Sequence, residues 1–360
     1  MKLYSCDNCQ NLLYFENNVC LNCKHAVGFD SSTLSLITLL PGKENELLWF
    51  HDKKKKYRFC KNAEYGTCNW LVDADDPSEW CRACAFNRII PTLINDENLR
   101  RWSNIEIAKH RLIFSLLRLH LPLSIKKENE EEGLAFDFMA DVSPEERVMT
   151  GHDKGTITLN IEEADEEARA RHKLDLGEKY RTLLGHFRHE IGHYYWGVLI
   201  KNSSSLKKYR ELFGDEQRDY AEALKTYYEN GAPGNWSEHF ISPYASAHSW
   251  EDWAETWAHY LHMMDTLETA YSFGIRIRPG GELGDDPGIK ASIVKDPYDI
   301  SEFDRIMKLW LPLSFAVNSL NRSMGHADFY PFIISPEVIR KLEFIHELCF
   351  INSRQKEEII

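Results

Sequence analysis

Eight of the nine cysteines lie within the first 84 residues, at Cys6, Cys9, Cys20, Cys23, Cys60, Cys68, Cys81 and Cys84, and only Cys349 lies beyond them. A segment this short cannot bury enough apolar surface to hold itself together, so cross-links or metal ions must contribute to its folding. Cys6-x2-Cys9 and Cys20-x2-Cys23 form two knuckles that can place four thiolates around one tetrahedral zinc ion. Between them Leu12, Leu13, Tyr14 and Phe15 offer a small apolar core. Cys60, Cys68, Cys81 and Cys84 contain a single Cys-x2-Cys and read as a second four-thiolate site. An even cysteine count also allows a disulfide framework. The N-terminal MKLYSCDNCQ has no apolar secretory run, however, so a reducing, cytoplasmic compartment is expected and metal is favoured over disulfides.

Lys and Arg number 43 against 56 Asp and Glu, a formal net charge of −13. Each four-thiolate zinc centre carries a formal charge of −2, which makes the loaded chain more acidic still. This balance disfavours generic nucleic-acid binding. Lys53–Lys56, Arg58 and Lys61 form a local exception inside the cysteine-rich segment. No apolar run approaches the roughly 18–20 residues that span a bilayer, so no membrane segment is expected.

The 360 residues suggest about two domains. Pro91 and the polar run Asn95–Asn98 read as a linker between a zinc-ribbon module at 1–95 and a second domain at 99–360. Apolar residues at Ile105, Ala108, Leu112, Leu116 and Leu119 predict a helix from Trp102 to Leu121, closed by Pro122. Leu134–Met139 and Gly155–Ile161 alternate with period two and predict strands. Helical patterns follow at Leu174–Ile200, Glu216–Tyr228 and Trp250–Ser272, with two or three more between 301 and 350. The stretch Arg278–Gly288 reads as a loop. The expected fold class is α+β, mostly helical with a small sheet.

His189-Glu190-Ile191-Gly192-His193 sits inside one helical pattern. Its histidines, four apart, share a helix face and can present two imidazoles to one zinc ion, with Glu190 directed toward the same cavity. His186, one turn upstream, reads as a helix-surface histidine or one that supports the ligands from behind. A catalytic zinc needs a third protein ligand and an open position. Downstream, Ser249 and Asp252 resemble a capping box that starts a helix, and Glu255 lies directly above Glu251. Two stacked carboxylates repel unless a cation or a donor lies between them. Trp250, Trp253, Ala254 and Trp257 surround the pair and argue for burial.

HExxH on one helix and ExxxE on a later one resembles the glutamate zincins (gluzincins). More narrowly, the chain looks like the bacterial putative zinc-binding metallopeptidases that carry an N-terminal zinc ribbon. The segments that carry this likeness are CNWLVDADDP (Cys68–Pro77), HEIGHYYW (His189–Trp196), LFGDEQRDYAEAL (Leu212–Leu224), the Trp-rich run Tyr244–Ala270 and LNRSMGHADFYPF (Leu320–Phe332). The resemblance implies a zincin-like domain in which His189, His193 and Glu251 bind a catalytic zinc, beside two structural zinc ions in the thiolate sites. It makes Glu190 the general base, and Glu255 the carboxylate that fixes the tautomer of a liganding imidazole. Tyr244 or His248 becomes the donor to the reaction's oxyanion. Asp215 reads as the cap of the Glu216–Tyr228 helix. The strand Gly155–Ile161 fits a sheet edge to which an extended peptide adds.

The leading expectation is therefore a zinc-dependent peptidase acting on a peptide or protein, with a ribbon that recruits a protein partner or gates the site. The alternative is a regulatory zinc protein whose ribbon and basic cluster contact protein or nucleic acid. Glu190 favours catalysis, because a binding site alone has no use for a base.

Overall fold

Alternating apolar residues between Ala26 and Asp73 build five strands that the cysteine pattern does not announce. In the computed structural model they are β3 (Ala26–Asp30), β4 (Ser35–Pro41), β5 (Leu47–Trp49), β6 (Lys56–Phe59) and β7 (Leu71–Asp73), each antiparallel to the next. The structure describes residues 2–43, 46–141, 143, 147–166, 182–280 and 286–357. A parallel bridge from Phe29 to Trp70 brings the first strand beside the last and curls the sheet on itself. One face gathers Ile37, Leu39, Tyr57 and Leu71, with Trp49 and Phe59 packed against them. Gly28 lies under Leu71, and a Cβ there would sit 2.5 Å from Leu71 Cδ2 and 2.7 Å from Cγ.

The cysteine knuckles lean on this sheet. A short hairpin, β1 (Tyr4–Ser5) and β2 (Leu12–Leu13), carries the first pair. Leu13 and Phe15 are buried, whereas Leu12 and Tyr14 face solvent, so half of the expected ribbon core is surface. The Phe15 ring packs 5.0 Å from Phe29 and 5.4 Å from Phe114 of helix α1 (Asp96–Arg118). Phe29 in turn lies 4.5 Å from Trp70. The cysteine-rich segment thus shares an aromatic core with α1, beside its two cysteine groups.

The chain divides into two compact units, residues 1–118 with 122–169, and 119–121 with 170–360. The first contains α1 and a second sheet as well as the cysteines. In that sheet β8 (Asn87–Ile89), β9 (Ala135–Met139), β10 (Gly151–Asp153) and β11 (Thr156–Asn160) lie in the order β10-β11-β9-β8. Both sequence-predicted strands are present, but Thr156–Thr158 is flanked on both sides, by β10 and by β9. The expected peptide-accepting edge at Gly155–Ile161 is therefore corrected: it is an interior strand. Basic residues near β6 are largely engaged. Lys56 pairs with Glu46 at 3.0 Å and Lys61 with Glu79 at 2.8 Å, while Arg58 donates to the Ala74 carbonyl at 3.1 Å.

The second unit is helical. It runs through α2 (Leu183–Leu199), α3 (Leu206–Phe213), α4 (Tyr220–Asn230), the single turn α5 (Trp236–His239), α6 (Ser249–Ser272), α7 (Phe303–Ser323) and α8 (Pro336–Glu357). The part of the expected Leu174–Ile200 helix before residue 182 lies outside the described residues, as does 281–285 of the Arg278–Gly288 loop. Helix α4 starts four residues later than Glu216, because Asp219 caps it by accepting from Glu222 N–H at 2.8 Å. Asp215 instead accepts from Gln217 N–H at 2.9 Å, in the turn before the helix. Tyr195, Tyr209, Trp253, Trp257 and Phe344 pack into the core around α6. Among the described residues no helix is long and apolar enough to cross a membrane.

The interior position of Gly28 yields a stability test. Overpacking a closed interior costs about 1–3 kcal/mol. Gly28→Ala should destabilise the first unit by about that amount, read as a lower denaturant midpoint. Gly197→Ala, where a new Cβ meets nothing within 4 Å, should leave the midpoint unchanged or raise it. Equal midpoints for the two variants would show that Leu71 yields freely.

Candidate metal centre

Helices α2 and α6 meet through a glycine. A Cβ on Gly192 would fall 2.9 Å from the Ala254 Cα and 3.2 Å from the Trp257 Cβ, so only a hydrogen fits between the two backbones. The Trp253 indole donates to the Gly192 carbonyl at 2.8 Å and fixes the register of the crossing. Side chains within one turn of it then face one another. His189 Nε2, His193 Nε2 and a carboxylate oxygen of Glu251 lie within 4.8 Å of each other.

The finer distances test whether zinc suits this trio. His189 Nε2 is 3.2 Å from His193 Nε2 and 3.0 Å from Glu251 Oε2, and His193 Nε2 is 3.7 Å from Glu251 Oε1. Ligands of a tetrahedral zinc with bonds near 2.0–2.1 Å stand about 3.3 Å apart. His189 Nδ1 lies 2.8 Å from Glu255 Oε1, which only accepts, so that nitrogen carries a proton. Burial pushes the His189 imidazole down, but Glu251 and Glu255 outweigh it and raise it, so Nε2 holds a proton toward Glu251 until a metal ion replaces that proton. Glu251 Oε2 is itself buried, with His189 Nε2 as its near polar neighbour. Electron pairs converging at this spacing are the arrangement a cation relieves, and the donor set fits zinc.

Five side chains surround the trio. His186 Nε2 lies 3.2 Å from Glu190 Oε1. Burial alone would raise the Glu190 carboxyl, but His186, His189 and His193 bring it down to about 2, so it is ionised. Burial likewise works against ionised Glu255, and the bond from His189 outweighs it and holds the group at about 2. Ser242 donates to Glu255 Oε2 at 2.6 Å and steadies it. Tyr220, the first residue of α4, donates to Glu251 Oε1 at 2.6 Å. Sequence reasoning missed Ser242 and Tyr220, which lie 13 and 31 residues from the carboxylates they contact, with no periodic spacing to mark them.

The two sequence-predicted oxyanion donors stand differently. The Tyr244 ring lies 6.1 Å from that of His189. His248 is the N-cap of α6 in place of the expected Ser249, its Nδ1 accepting from Trp250 N–H at 3.1 Å. Its Nε2 faces the Arg218 carbonyl at 3.2 Å. Both nitrogens of His248 are committed to backbone groups, which leaves it no free donor. Asp252, next to Glu251, turns away to accept from Lys341 Nζ at 2.6 Å.

The eight N-terminal cysteines gather as the spacing suggests. Cys6, Cys9, Cys20 and Cys23 form one group and Cys60, Cys68, Cys81 and Cys84 another, each with its sulfurs within 4.8 Å of one another. Cys6 and Cys23 are 3.5 Å apart, Cys9 and Cys20 3.6 Å, and Cys68 and Cys81 3.7 Å. Sulfurs on one tetrahedral zinc stand about 3.8 Å apart, with Zn–S bonds near 2.3 Å. All of these cysteines are free thiols, so the disulfide framework is excluded. Backbone N–H groups of Trp70, Cys81 and Cys84 point at sulfurs of the second group, each at 3.4 Å, as they do around bound thiolates.

Residues 98–348 match the family model described as a putative zinc-binding metallo-peptidase. The chain belongs to this family. Residues 3–95 match a zinc-ribbon domain, so the ribbon match ends before α1 although α1 packs on the cysteines. Uncharacterized proteins of Mycobacterium tuberculosis and Mycobacterium bovis are 40% identical over 347 residues, covering 96% of this chain and 94% of theirs. No solved structure matches the chain.

The glycine contact gives the sharpest test of this geometry. Alanine favours a helix over glycine by about 1 kcal/mol, whereas overpacking against a fixed backbone costs about 1–3 kcal/mol, so the clash prevails. Gly192→Ala should lower stability and weaken zinc at this centre while the thiolate sites keep theirs, measured by calorimetric titration and metal analysis. Unchanged affinity would mean that the helices do not depend on this contact.

Proposed function

We propose that this protein is a zinc-dependent peptidase of the gluzincin kind, and that His189, His193 and Glu251 hold its catalytic ion. The convergence of those three donors across the α2–α6 crossing carries the reading. Zinc, when bound, supplies Lewis acidity that polarises a peptide carbonyl and lowers the pKa of water. Glu190 takes one proton from the attacking water as the new C–O bond forms. It returns that proton to the leaving nitrogen as the C–N bond breaks, which balances the hydrolysis. An ionised carboxylate is the form this role requires, and His186 holds Glu190 in place for it. Glu255, braced by Ser242, keeps the proton of His189 on Nδ1 and so keeps Nε2 free for the metal. Of the two expected oxyanion donors, Tyr244 fits better, because the nitrogens of His248 are engaged.

The proposed substrate is a peptide or protein chain. The cysteine module at 1–95 is assigned two structural zinc ions and the role of recruiting a protein partner or gating the site of the 99–360 domain. Free thiols suit a reducing compartment such as the cytoplasm.

Three substitutions separate the roles when metal content and cleavage of a peptide library are measured together. Native protein purified without chelator should hold three zinc ions. Glu190→Gln should keep all three and lose turnover by about 10²–10⁴-fold. Glu251→Gln should lose the catalytic ion, and Glu255→Gln should keep it at about 10–100-fold lower affinity. Hydrolysis that survives Glu190→Gln intact would overturn the peptidase reading. An empty site in Glu255→Gln with a full one in Glu251→Gln would reverse ligand and support.

A further inference from the structure

Helix α1 carries Glu106, Lys109 and His110 on one face, directly against the second cysteine group, and all three are buried. Spacings of three and four residues put them one turn apart on that face. Lys109 Nζ donates to both carboxylate oxygens of Glu106 at 2.9 Å, and Asn87 adds a bond to Oε1 at 2.8 Å. Glu106 is thereby neutralised. His110 is held differently. Its Nδ1 lies 2.6 Å from the Glu106 carbonyl, which only accepts, so Nδ1 carries a proton. In the neutral ring Nε2 is therefore an electron-pair donor. It is aimed at Cys68 Sγ, 3.3 Å away, and Cys84 Sγ, 3.7 Å away. Nitrogen and sulfur ligands on one tetrahedral zinc stand about 3.6 Å apart, given bonds near 2.1 and 2.3 Å. His110 thus sits at ligand spacing from two members of a group that already contains four thiolates.

Cys84 is one of the two sulfurs that His110 faces, and the one of that pair that also adjoins Glu106. Its sulfur lies 3.5 Å from Glu106 Oε2, so this ligand position borders the polar face of α1. Four thiolates on zinc leave a formal −2 in a fully buried place, and burying net charge is costly. Three thiolates and an imidazole leave −1. Resting on the reading of this group as a metal centre, we propose that His110 is its fifth donor, and that its Nε2 takes the coordination position of Cys84 when that thiolate is withdrawn. The centre then keeps its ion through the loss of one sulfur ligand, and the ion ties α1 to the cysteine loops.

The test uses the full chain loaded with cobalt(II) in place of zinc, under reducing and anaerobic conditions. Wild type is compared with Cys84→Ala, His110→Ala and the double variant, by cobalt content and by visible absorption. Cys84→Ala should keep the wild-type cobalt complement. It should also lose about a quarter of the thiolate-to-cobalt charge-transfer intensity of this centre, with its ligand-field bands moved toward those of a three-sulfur, one-nitrogen site. Adding His110→Ala to Cys84→Ala should release one cobalt per chain. Cys68→Ala, with Nε2 still closer, provides a second background for the same comparison. A double variant that holds cobalt as well as Cys84→Ala would make His110 a neighbour and overturn the proposal. So would failure of both cysteine variants to hold the ion while wild type does. A wild-type chain lacking thiolate–cobalt absorption would overturn the metal reading along with it.

Discussion

The approach of Gly192 to Ala254 is the contact on which the helical half of the molecule depends. Helix axes separated by ordinary side chains stand 8–10 Å apart or so, and small residues at the crossing allow less. Here a hydrogen on one helix meets a backbone carbon on the other. That closeness lets short-reaching imidazoles on α2 meet a carboxylate on α6. The aromatic layer beyond the crossing, with Tyr195 stacked on Trp257 and Trp253 bonded to the Gly192 carbonyl, prevents the helices from sliding. The grouping of His189, His193 and Glu251 is therefore a property of a helix crossing before it is a property of three residues.

Once the crossing is set, charge decides the orientation of the rest. Glu251, Asp252 and Glu255 lie within five positions of one helix, all withdrawn from water to differing degrees. Packed together without partners they would be prohibitively costly. Each instead finds its own. Glu251 meets His189 and Tyr220, Asp252 meets Lys341 of α8, and Glu255 meets His189 and Ser242. The acidic run on a Trp-rich helix thus becomes three separate tasks: a carboxylate beside two imidazoles, a link between helices and a brace for an imidazole.

The cysteine unit rests on a different balance. Its sulfur groups do not stand alone on loops, because Phe15, Phe29, Trp70 and Phe114 form one aromatic core shared by the knuckles, the curled sheet and α1. Helix α1 belongs to this unit because its buried polar face packs against Cys68, Cys84 and Asn87. The family models meet between residues 95 and 98, and the compact units meet near 169. Sequence relatedness and packing therefore draw the line at different places.

By itself the sequence determined the chemistry that is local. Cys-x2-Cys spacing announces a thiolate knuckle, and His189 and His193 share a face because a helix repeats every 3.6 residues. Glu255 stacks on Glu251 for the same reason. Periodicity also located α1, α6 and the two strands β9 and β11. What it could not determine was every relation between distant segments. Tyr220 on Glu251, Ser242 on Glu255 and His110 beside Cys68 arise where the chain returns to itself, and no period in the sequence encodes that return. His248 looked like a catalytic donor until the fold spent both its nitrogens on backbone groups, and Gly155–Ile161 looked like an edge until β10 covered it. Local hydrogen bonding and side-chain spacing are written along the chain, whereas closure of space between segments is set only when the whole core packs.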